Sequence, residues 1–212
     1  MLGHPSKDDG AIVDQPTLES AVAVLSACDP VLALIARDHG VPPLWARKPG
    51  FATLVRIILE QQVSLLSARA VYRKLSLALG RVTPWTVLAA SADDFRGIGL
   101  TRQKTRYCRA LADAVLNGGL NLAALQTMSA QQVEESLTRV TGIGRWTSDI
   151  YRLMALRHVD VWPRGDLALY KAMRETLATD LDPASLDARA MEWQPWRSVA
   201  ARLLWLYYLR TR

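Results

Sequence analysis

The stretch Leu137–Ser148, LTRVTGIGRWTS, places Gly142 and Gly144 between two segments whose apolar residues have helical spacing. The first segment starts with a capping-box pattern at Ser129-Ala130-Gln131-Gln132, and the second is predicted to begin at about Arg145. Glycines permit a tight turn and let backbone N–H groups approach an anion, which the start of the second helix also attracts. The stretch therefore predicts a helical hairpin that holds a phosphate. A helical corner with a plain Gly-x-Gly turn is the alternative.

Outward from this hairpin, the apolar periodicity is helical almost throughout, and alternating strand patterns are scarce. Phe51–Leu79 repeats Leu, Ile and Val every three or four residues and is interrupted by polar Glu60-Gln61-Gln62. Asp166 precedes a further apolar segment, and Pro195 opens a final helix. With helices of ordinary length and short loops, the chain would hold roughly ten helices. We predict an all-α fold.

The composition restricts the class of protein and of site. Half of the 212 residues are apolar and 22% are charged, which is typical of a folded domain and argues against disorder. The net charge of +6 makes a polyanion a plausible partner. Two cysteines cannot form a disulfide scaffold, a four-cysteine zinc site or an iron–sulfur cluster, and the three histidines are too scattered to suggest another zinc site. No stretch has the length and apolarity of a membrane span or a signal peptide, so we expect a cytoplasmic protein.

Two motifs in the second half of the chain resemble a known family. VTGIGRWT at residues 140–147, followed by VWPRGD at 161–166, resembles the helix-hairpin-helix plus Gly/Pro…Asp signature of the HhH-GPD DNA glycosylases. Within that superfamily the 3-methyladenine DNA glycosylase II (AlkA) type is most similar, supported by QQVS at 61–64 and WQPWRS at 193–198. The resemblance covers about residues 51–208. Because several separated motifs occur in the family's order and spacing, it is more specific than the hairpin alone.

The resemblance implies two helical lobes with the active-site cleft between them. One lobe would combine residues 1–50 with 161–212, and the other would be residues 51–160, with the hairpin at about 130–157. Members of this type often carry an N-terminal antiparallel β-domain. The helix-like sequence before Phe51 departs from that pattern, so we expect the compact form without it.

The resemblance assigns the catalytic role to Asp166. Cleavage of an N-glycosidic bond passes through a sugar with oxocarbenium character, which a nearby carboxylate stabilises. Asp before an apolar helix is also a good N-cap, and the two roles can coexist because helix N–H groups favour the ionised acid. Whether Asp166 activates water or mainly stabilises the cationic sugar is left open by the sequence.

Four aromatic residues are candidates for the base pocket: Trp146, Trp193, Trp196 and Tyr151. Alkylated purines such as 3-methyladenine carry positive charge, which an aromatic face attracts by about 0.5–2 kcal/mol. For any tryptophan the alternative is packing in the hydrophobic core, and we assign Trp205 to the core. Trp146 stands where bifunctional relatives carry a lysine nucleophile, so we expect no strand cleavage.

The remaining assignments concern DNA and ions. By resemblance, Gln62 fills the gap left by a flipped base, although an interhelical glutamine is an equal alternative. The predicted phosphate-binding residues are Gly142, Gly144, Arg145, Thr147 and Ser64. No cofactor is expected to be required. The family hairpin commonly holds a Na⁺ or K⁺ ion on backbone carbonyls, which by position would be those of Thr138, Val140 and Ile143.

The resemblance implies a monofunctional glycosylase of base excision repair, and we expect a monomer. It would flip alkylated purines such as 3-methyladenine and 7-methylguanine out of double-stranded damaged DNA and hydrolyse their N-glycosidic bond, leaving an abasic site. Such an enzyme would work on the chromosome, in the nucleoid or the nucleus. A non-catalytic helix-hairpin-helix DNA-binding module and a glycosylase for other damaged bases are the alternatives. Asp166 favours an enzyme, because a carboxylate near DNA would only repel the backbone in a pure binder.

Overall fold

A computed structural model describes residues 12–212, and this part of the chain contains twelve α-helices and no β-strand. An isolated antiparallel bridge joins Ile12 to His158. The helices are α1 (Gln15–Cys28), α2 (Pro30–His39), α3 (Phe51–Glu60), α4 (Leu65–Leu79), α5 (Pro84–Ala89), α6 (Ala92–Ile98), α7 (Arg102–Leu116), α8 (Ala130–Thr138), α9 (Arg145–Tyr151), α10 (Leu167–Leu177), α11 (Pro183–Ala190) and α12 (Arg197–Arg210). The all-α prediction is confirmed. No helix in residues 12–212 combines the length and apolarity needed to cross a membrane.

The described residues contain more helices than the roughly ten that were predicted. The Phe51–Leu79 segment is broken at residues 61–64, where the polar interruption ends α3 and Ser64 caps α4. The sequence analysis also missed α11. Its apolar pattern is weak, and only Leu186 and Ala190 are buried along it.

The chain forms two compact units. One is Arg47–Tyr151, and the other combines the described residues up to Ala46 with Arg152–Arg212. The boundaries therefore lie at 46/47 and 151/152, compared with 50/51 and 160/161 in the sequence analysis. A π-helical turn, Arg152–Leu156, continues directly from α9 and begins the segment Arg152–Arg212.

In the unit Arg47–Tyr151, α3 forms the centre and packs against α4, α7 and α9. Its residues Leu54, Val55 and Ile57–Leu59 are all buried, so it is apolar on several faces, as expected for an interior helix. Each such side chain contributes about 1.5–3 kcal/mol when it is fully removed from water. The elements that carry the hairpin, α8 and α9, pack against each other, and α9 also packs on α3.

In the other unit, α12 is the central element and packs against α1, α2 and α10. Nine consecutive residues, Ser198–Leu206, are buried. Among them is Arg202, whose guanidinium donates hydrogen bonds to the carbonyl oxygens of Leu44 (3.0 Å), Ser198 (2.8 Å) and Leu153 (2.9 Å). Burial lowers the pKa of Arg202 to about 10, so the side chain stays charged at neutral pH. One cation thereby holds three main-chain segments of this unit together.

Candidate functional site

The hairpin predicted from the glycine-containing stretch is present. Ser129 and Gln132 form the predicted capping box at the start of α8. In the turn, the N–H of Ile143 donates to the carbonyl of Val140 (3.0 Å), and the N–H of Ser148 donates to the carbonyl of Gly144 (3.0 Å). Ile143 is 3% exposed, so its side chain is buried in the interior.

The two glycines of the turn differ in what the structure requires of them. Gly142 has a φ of +92°, and a Cβ placed there would overlap Cβ, Cγ and Cδ1 of Tyr107 on α7. Gly142 is therefore required by backbone conformation and by close packing. Gly144 has no such φ and no neighbour within 4 Å of an added Cβ. It leaves open space at the start of α9, as a phosphate contact there would need, and that contact stays a prediction.

Replacement of Gly142 by alanine is expected to destabilise the protein by about 1–3 kcal/mol, because the new methyl group displaces Tyr107 and the backbone is held at positive φ. The midpoint of urea unfolding measures this loss. Gly144→Ala is the matched control and should change stability by less than about 0.5 kcal/mol. Equal stability of both variants would contradict the packing described here.

Gln61, a residue without an assigned role in the sequence analysis, binds the hairpin. Its Nε2 donates to the carbonyl of Gly142 and to Oγ1 of Thr147, each at 2.9 Å. Thr147 is 1% exposed, so its hydroxyl points toward Gln61 rather than toward solvent. The hydroxyl is thus engaged within the protein, and the predicted phosphate contact of Thr147 stays a prediction. The signal for Gln61 was its polarity within an apolar helical segment.

Arg145 is the exposed basic side chain of the hairpin. Its side chain is 54% exposed, and its guanidinium lies 3.5 Å from Oε1 of Glu134 and 3.9 Å from Oδ2 of Asp149. The first contact crosses from α9 to α8, and the second is made within α9. Arg145, which is predicted to bind a phosphate, is thus accessible to solvent, and its guanidinium lies near two acidic groups.

The segment after Gln61 projects from the unit as an exposed turn. Gln62 is exposed and adopts a φ of +56°, a conformation that is uncommon for a residue with a side chain. Ser64 is exposed and caps α4 by accepting a hydrogen bond from the N–H of Ser67 (3.2 Å). Val63 and Leu66 are 45% and 79% exposed. The structure thus places Gln62 directly after the residue that binds the hairpin, and its intercalating role stays a prediction.

Asp166 is the N-cap of α10. Its Oδ1 accepts hydrogen bonds from the N–H of Leu169 (3.0 Å) and from the indole Nε1 of Trp205 (3.3 Å), and the residue is 8% exposed. The prediction that Asp166 caps a helix is confirmed, and its carboxylate is oriented by two N–H donors. Trp205 is buried, as predicted, but the sequence did not indicate that its indole N–H contacts Asp166.

Two of the four predicted pocket aromatics lie in the core. Tyr151 is 0% exposed, and its hydroxyl accepts the N–H of Gly50 (3.0 Å); burial raises the pKa of this hydroxyl. Trp193 is 4% exposed, donates to Oδ2 of Asp29 (2.7 Å), and packs edge-on against Trp162 with ring centroids 5.6 Å apart. Neither ring has an accessible face in this structure, and their assignment to a base pocket stays a prediction.

The other two aromatics, Trp146 and Trp196, are half-buried. Trp146 is the second residue of α9, and Trp196 immediately precedes α12. Both retain some accessible surface, so their role as pocket residues stays a prediction.

The hairpin has backbone carbonyl oxygens of the kind that bind a monovalent cation. The Val140 carbonyl accepts one N–H and keeps a second lone pair, and the Thr138 carbonyl belongs to the last turn of α8, where partial negative charge accumulates. Neutral carbonyl oxygens suit Na⁺ or K⁺ in kind, and the ion itself stays a prediction. Within residues 12–212, no group of three or more His, Cys, Asp or Glu side chains could hold a metal ion.

Comparison with known proteins identifies the family. Residues 55–198 match the HhH-GPD superfamily, described as base excision DNA repair proteins. The DNA-3-methyladenine glycosylase of Bacillus subtilis is 23% identical over 201 residues, which cover 85% of this chain and 64% of the relative. The chain therefore spans just under two thirds of the length of that relative.

Solved structures show the same fold. The Schizosaccharomyces pombe 3-methyladenine DNA glycosylase in complex with abasic DNA superposes with a TM-score of 0.78 at 21% identity, over 88% of this chain and 95% of that one. A DNA-3-methyladenine glycosidase from Bacillus halodurans has a TM-score of 0.74 at 28% identity, over 92% and 90% of the two chains. The predicted helix-hairpin-helix glycosylase fold is confirmed, and the chain belongs to the HhH-GPD superfamily of base excision DNA repair proteins.

Proposed function

We propose that this protein is a monofunctional DNA glycosylase that releases alkylated purines, such as 3-methyladenine and 7-methylguanine, from duplex DNA. The observation that carries the proposal is the Asp166 carboxylate, nearly buried and oriented by the N–H groups of Leu169 and Trp205, in a member of a base excision repair family. The names of the similar proteins support the choice of alkylated bases.

The chemistry follows from the charge of the reacting groups. As the bond between C1′ and the purine nitrogen breaks, its electron pair leaves with the base, which neutralises the positive charge of an alkylated purine. The sugar becomes cationic, and the negative charge of Asp166 stabilises it. A water oxygen then bonds to C1′ and loses one proton, which leaves an abasic site. Because the base leaves as a neutral molecule, no general acid is required.

Trp146 supports hydrolysis without strand cleavage. It follows Gly144-Arg145, and the resemblance implies that this is the position where bifunctional members of the family carry a lysine. An indole cannot form a Schiff base with the sugar, so the covalent route that leads to strand cleavage has no nucleophile at this position. Its half-buried ring can instead attract a cationic base.

The hairpin supports binding to the DNA backbone. The open space at Gly144 lets a phosphate approach the start of α9, and the exposed guanidinium of Arg145 supplies positive charge. The net charge of +6 favours association with DNA. Gln62, held beside the hairpin through Gln61, would fill the gap left by the flipped base and bond to the unpaired partner base.

Replacement of Glu134 by glutamine is expected to tighten binding to DNA about 2–5-fold, because Glu134 competes with a phosphate for Arg145 and exposed ion pairs contribute about 0.2–1 kcal/mol. Fluorescence anisotropy with a labelled duplex that contains an abasic-site analogue measures the affinity. Glu135→Gln, which removes the same charge from the adjacent residue, is the control for the change in net charge. If both variants gain affinity equally, Arg145 is not the group that Glu134 restrains.

The test of the proposed function is the release of free base from a methylated duplex. The products are separated by chromatography, and the strand is examined with and without alkali, because an abasic site is cleaved only after alkali. We expect free 3-methyladenine or 7-methylguanine, an intact strand before alkali, and no covalent complex after treatment with borohydride. Binding to the duplex without release of any base would favour the non-catalytic DNA-binding module instead.

A further inference from the structure

The loop that leads into Asp166 is bound by a side chain of α11. One carboxylate oxygen of Asp187, Oδ1, accepts hydrogen bonds from the hydroxyl of Tyr170 and from Nε1 of Trp162, each at 2.8 Å. Trp162 lies at the start of this loop, and Tyr170 lies on the first turns of α10. Asp187 therefore connects α11 to both ends of the segment that presents Asp166.

Tyr170 extends this connection to the residue that precedes Asp166. Its hydroxyl accepts the N–H of Gly165 (2.8 Å) while it donates to Asp187. Burial raises the pKa of the Tyr170 hydroxyl, which therefore keeps its proton at neutral pH. The Gly165 N–H is thus fixed by a hydroxyl whose own direction is set by Asp187.

The position of the Gly165–Asp166 peptide determines where the Asp166 carboxylate lies. Gly165 has a φ of +79°, and the N–H of Asp166 donates to the carbonyl of Pro163 (3.2 Å), so the loop makes a tight turn just before the cap. Without the Tyr170 hydroxyl, the Gly165 N–H would lack its partner and the turn could rotate. A displacement of about 1 Å in a reacting group costs about 10²-fold in rate.

We propose that Tyr170 and Asp187 are positioning residues for Asp166: Asp187 orients the Tyr170 hydroxyl, and Tyr170 fixes the Gly165 N–H and with it the carboxylate. This inference rests on the proposed function, because it assigns these residues to the base-release step. It assigns them no contact with DNA, so their removal acts on the rate of base release and not on affinity.

The test compares Tyr170→Phe with Tyr208→Phe, which makes the same chemical change on α12, where the ring contacts Arg212. Base release is measured under single-turnover conditions with saturating enzyme, and affinity is measured with a duplex that contains an abasic-site analogue. We expect Tyr170→Phe to lower the rate about 10–30-fold with affinity within about twofold. Tyr208→Phe should retain the rate of the unmodified protein.

Asp187 is tested in the same assays, with thermal unfolding as a measure of folding. Asp187→Ala should lower the rate to a similar extent, and Asp187→Asn, which keeps an oxygen acceptor, should restore most of it. The double variant of Tyr170→Phe and Asp187→Ala should be no slower than Asp187→Ala alone, because both changes act along one path.

Three results would overturn the inference. They are a rate for Tyr170→Phe within about twofold of the unmodified protein, a loss of affinity as large as the loss of rate, or losses that multiply in the double variant. A failure of the proposed function is separate from these results. In that case the unmodified protein itself releases no base, or releases it as fast when Asp166 is replaced by asparagine.

Discussion

Asp166→Asn is expected to reduce the single-turnover rate of base release by about 10²–10³-fold, the range found when one preorganised electrostatic group is removed. Asparagine has nearly the same shape as aspartate, and its side-chain oxygen can accept the N–H groups of Leu169 and Trp205. It is also a good N-cap, so α10 should keep its start. The variant therefore removes the negative charge and keeps these two hydrogen bonds.

The measurement combines base release with affinity for an abasic duplex. Affinity should stay equal or increase, because a negative charge near the phosphates is removed. Asp182→Asn is a matched control: Asp182 caps α11 by accepting the N–H of Ser185 (2.8 Å), so it undergoes the same change at an exposed helix start. If Asp166→Asn released base as fast as the Asp182→Asn control, the catalytic assignment of Asp166 would be wrong.

Arg202→Met is expected to lower the free energy of unfolding by about 3–5 kcal/mol, because buried polar groups that lose their partners each cost about 1–3 kcal/mol. The guanidinium is fully buried and donates to the carbonyls of Leu44, Ser198 and Leu153. Methionine fills much of the same volume but donates no hydrogen bond. The carbonyls of Leu44 and Leu153 then lose a charged partner.

Urea unfolding measures this loss. Arg210→Met, in the exposed last turn of the same helix, is the control and should change stability by less than about 0.5 kcal/mol. Arg202→Lys should fall between the unmodified protein and Arg202→Met, because one ammonium cannot reach three carbonyls in the geometry of a guanidinium. A loss below about 1 kcal/mol for Arg202→Met would show that water or a rearranged backbone satisfies these carbonyls.

Features determined by a few neighbouring residues could be predicted from the sequence. The capping box at Ser129 joins residues three positions apart, and Asp166 caps the helix that follows it immediately. The turn at Gly142 was predicted because glycine is favoured at positive φ, although its contact with Tyr107 was not. By contrast, α11 has an equally local start signal in Asp182-Pro183, but its weak apolar pattern concealed it.

Features determined by contacts between distant residues could not be predicted. Gln61 and Thr147 are 86 positions apart, and Trp205 and Asp166 are 39 positions apart. The sequence can place Trp205 on the buried side of a helix, but the direction of its indole N–H depends on packing against other segments. Tyr151 and Trp193 were assigned to a pocket for the same reason, because an aromatic residue in the core and one beside a ligand have the same sequence signature.

The bonds of Arg202 have a consequence for how the chain is connected. Leu44 lies just before the unit Arg47–Tyr151 begins, and Leu153 lies just after it ends, so one guanidinium holds the chain where it leaves and where it returns. The unit Arg47–Tyr151 is thus inserted between two segments of the other unit, and Arg202 binds both of those segments close to the insertion points. Bringing the ends of a long segment together costs entropy that rises only slowly with its length. A change in the length of the segment 47–151 should therefore add little closure entropy as long as the carbonyls of Leu44 and Leu153 keep their bonds to Arg202.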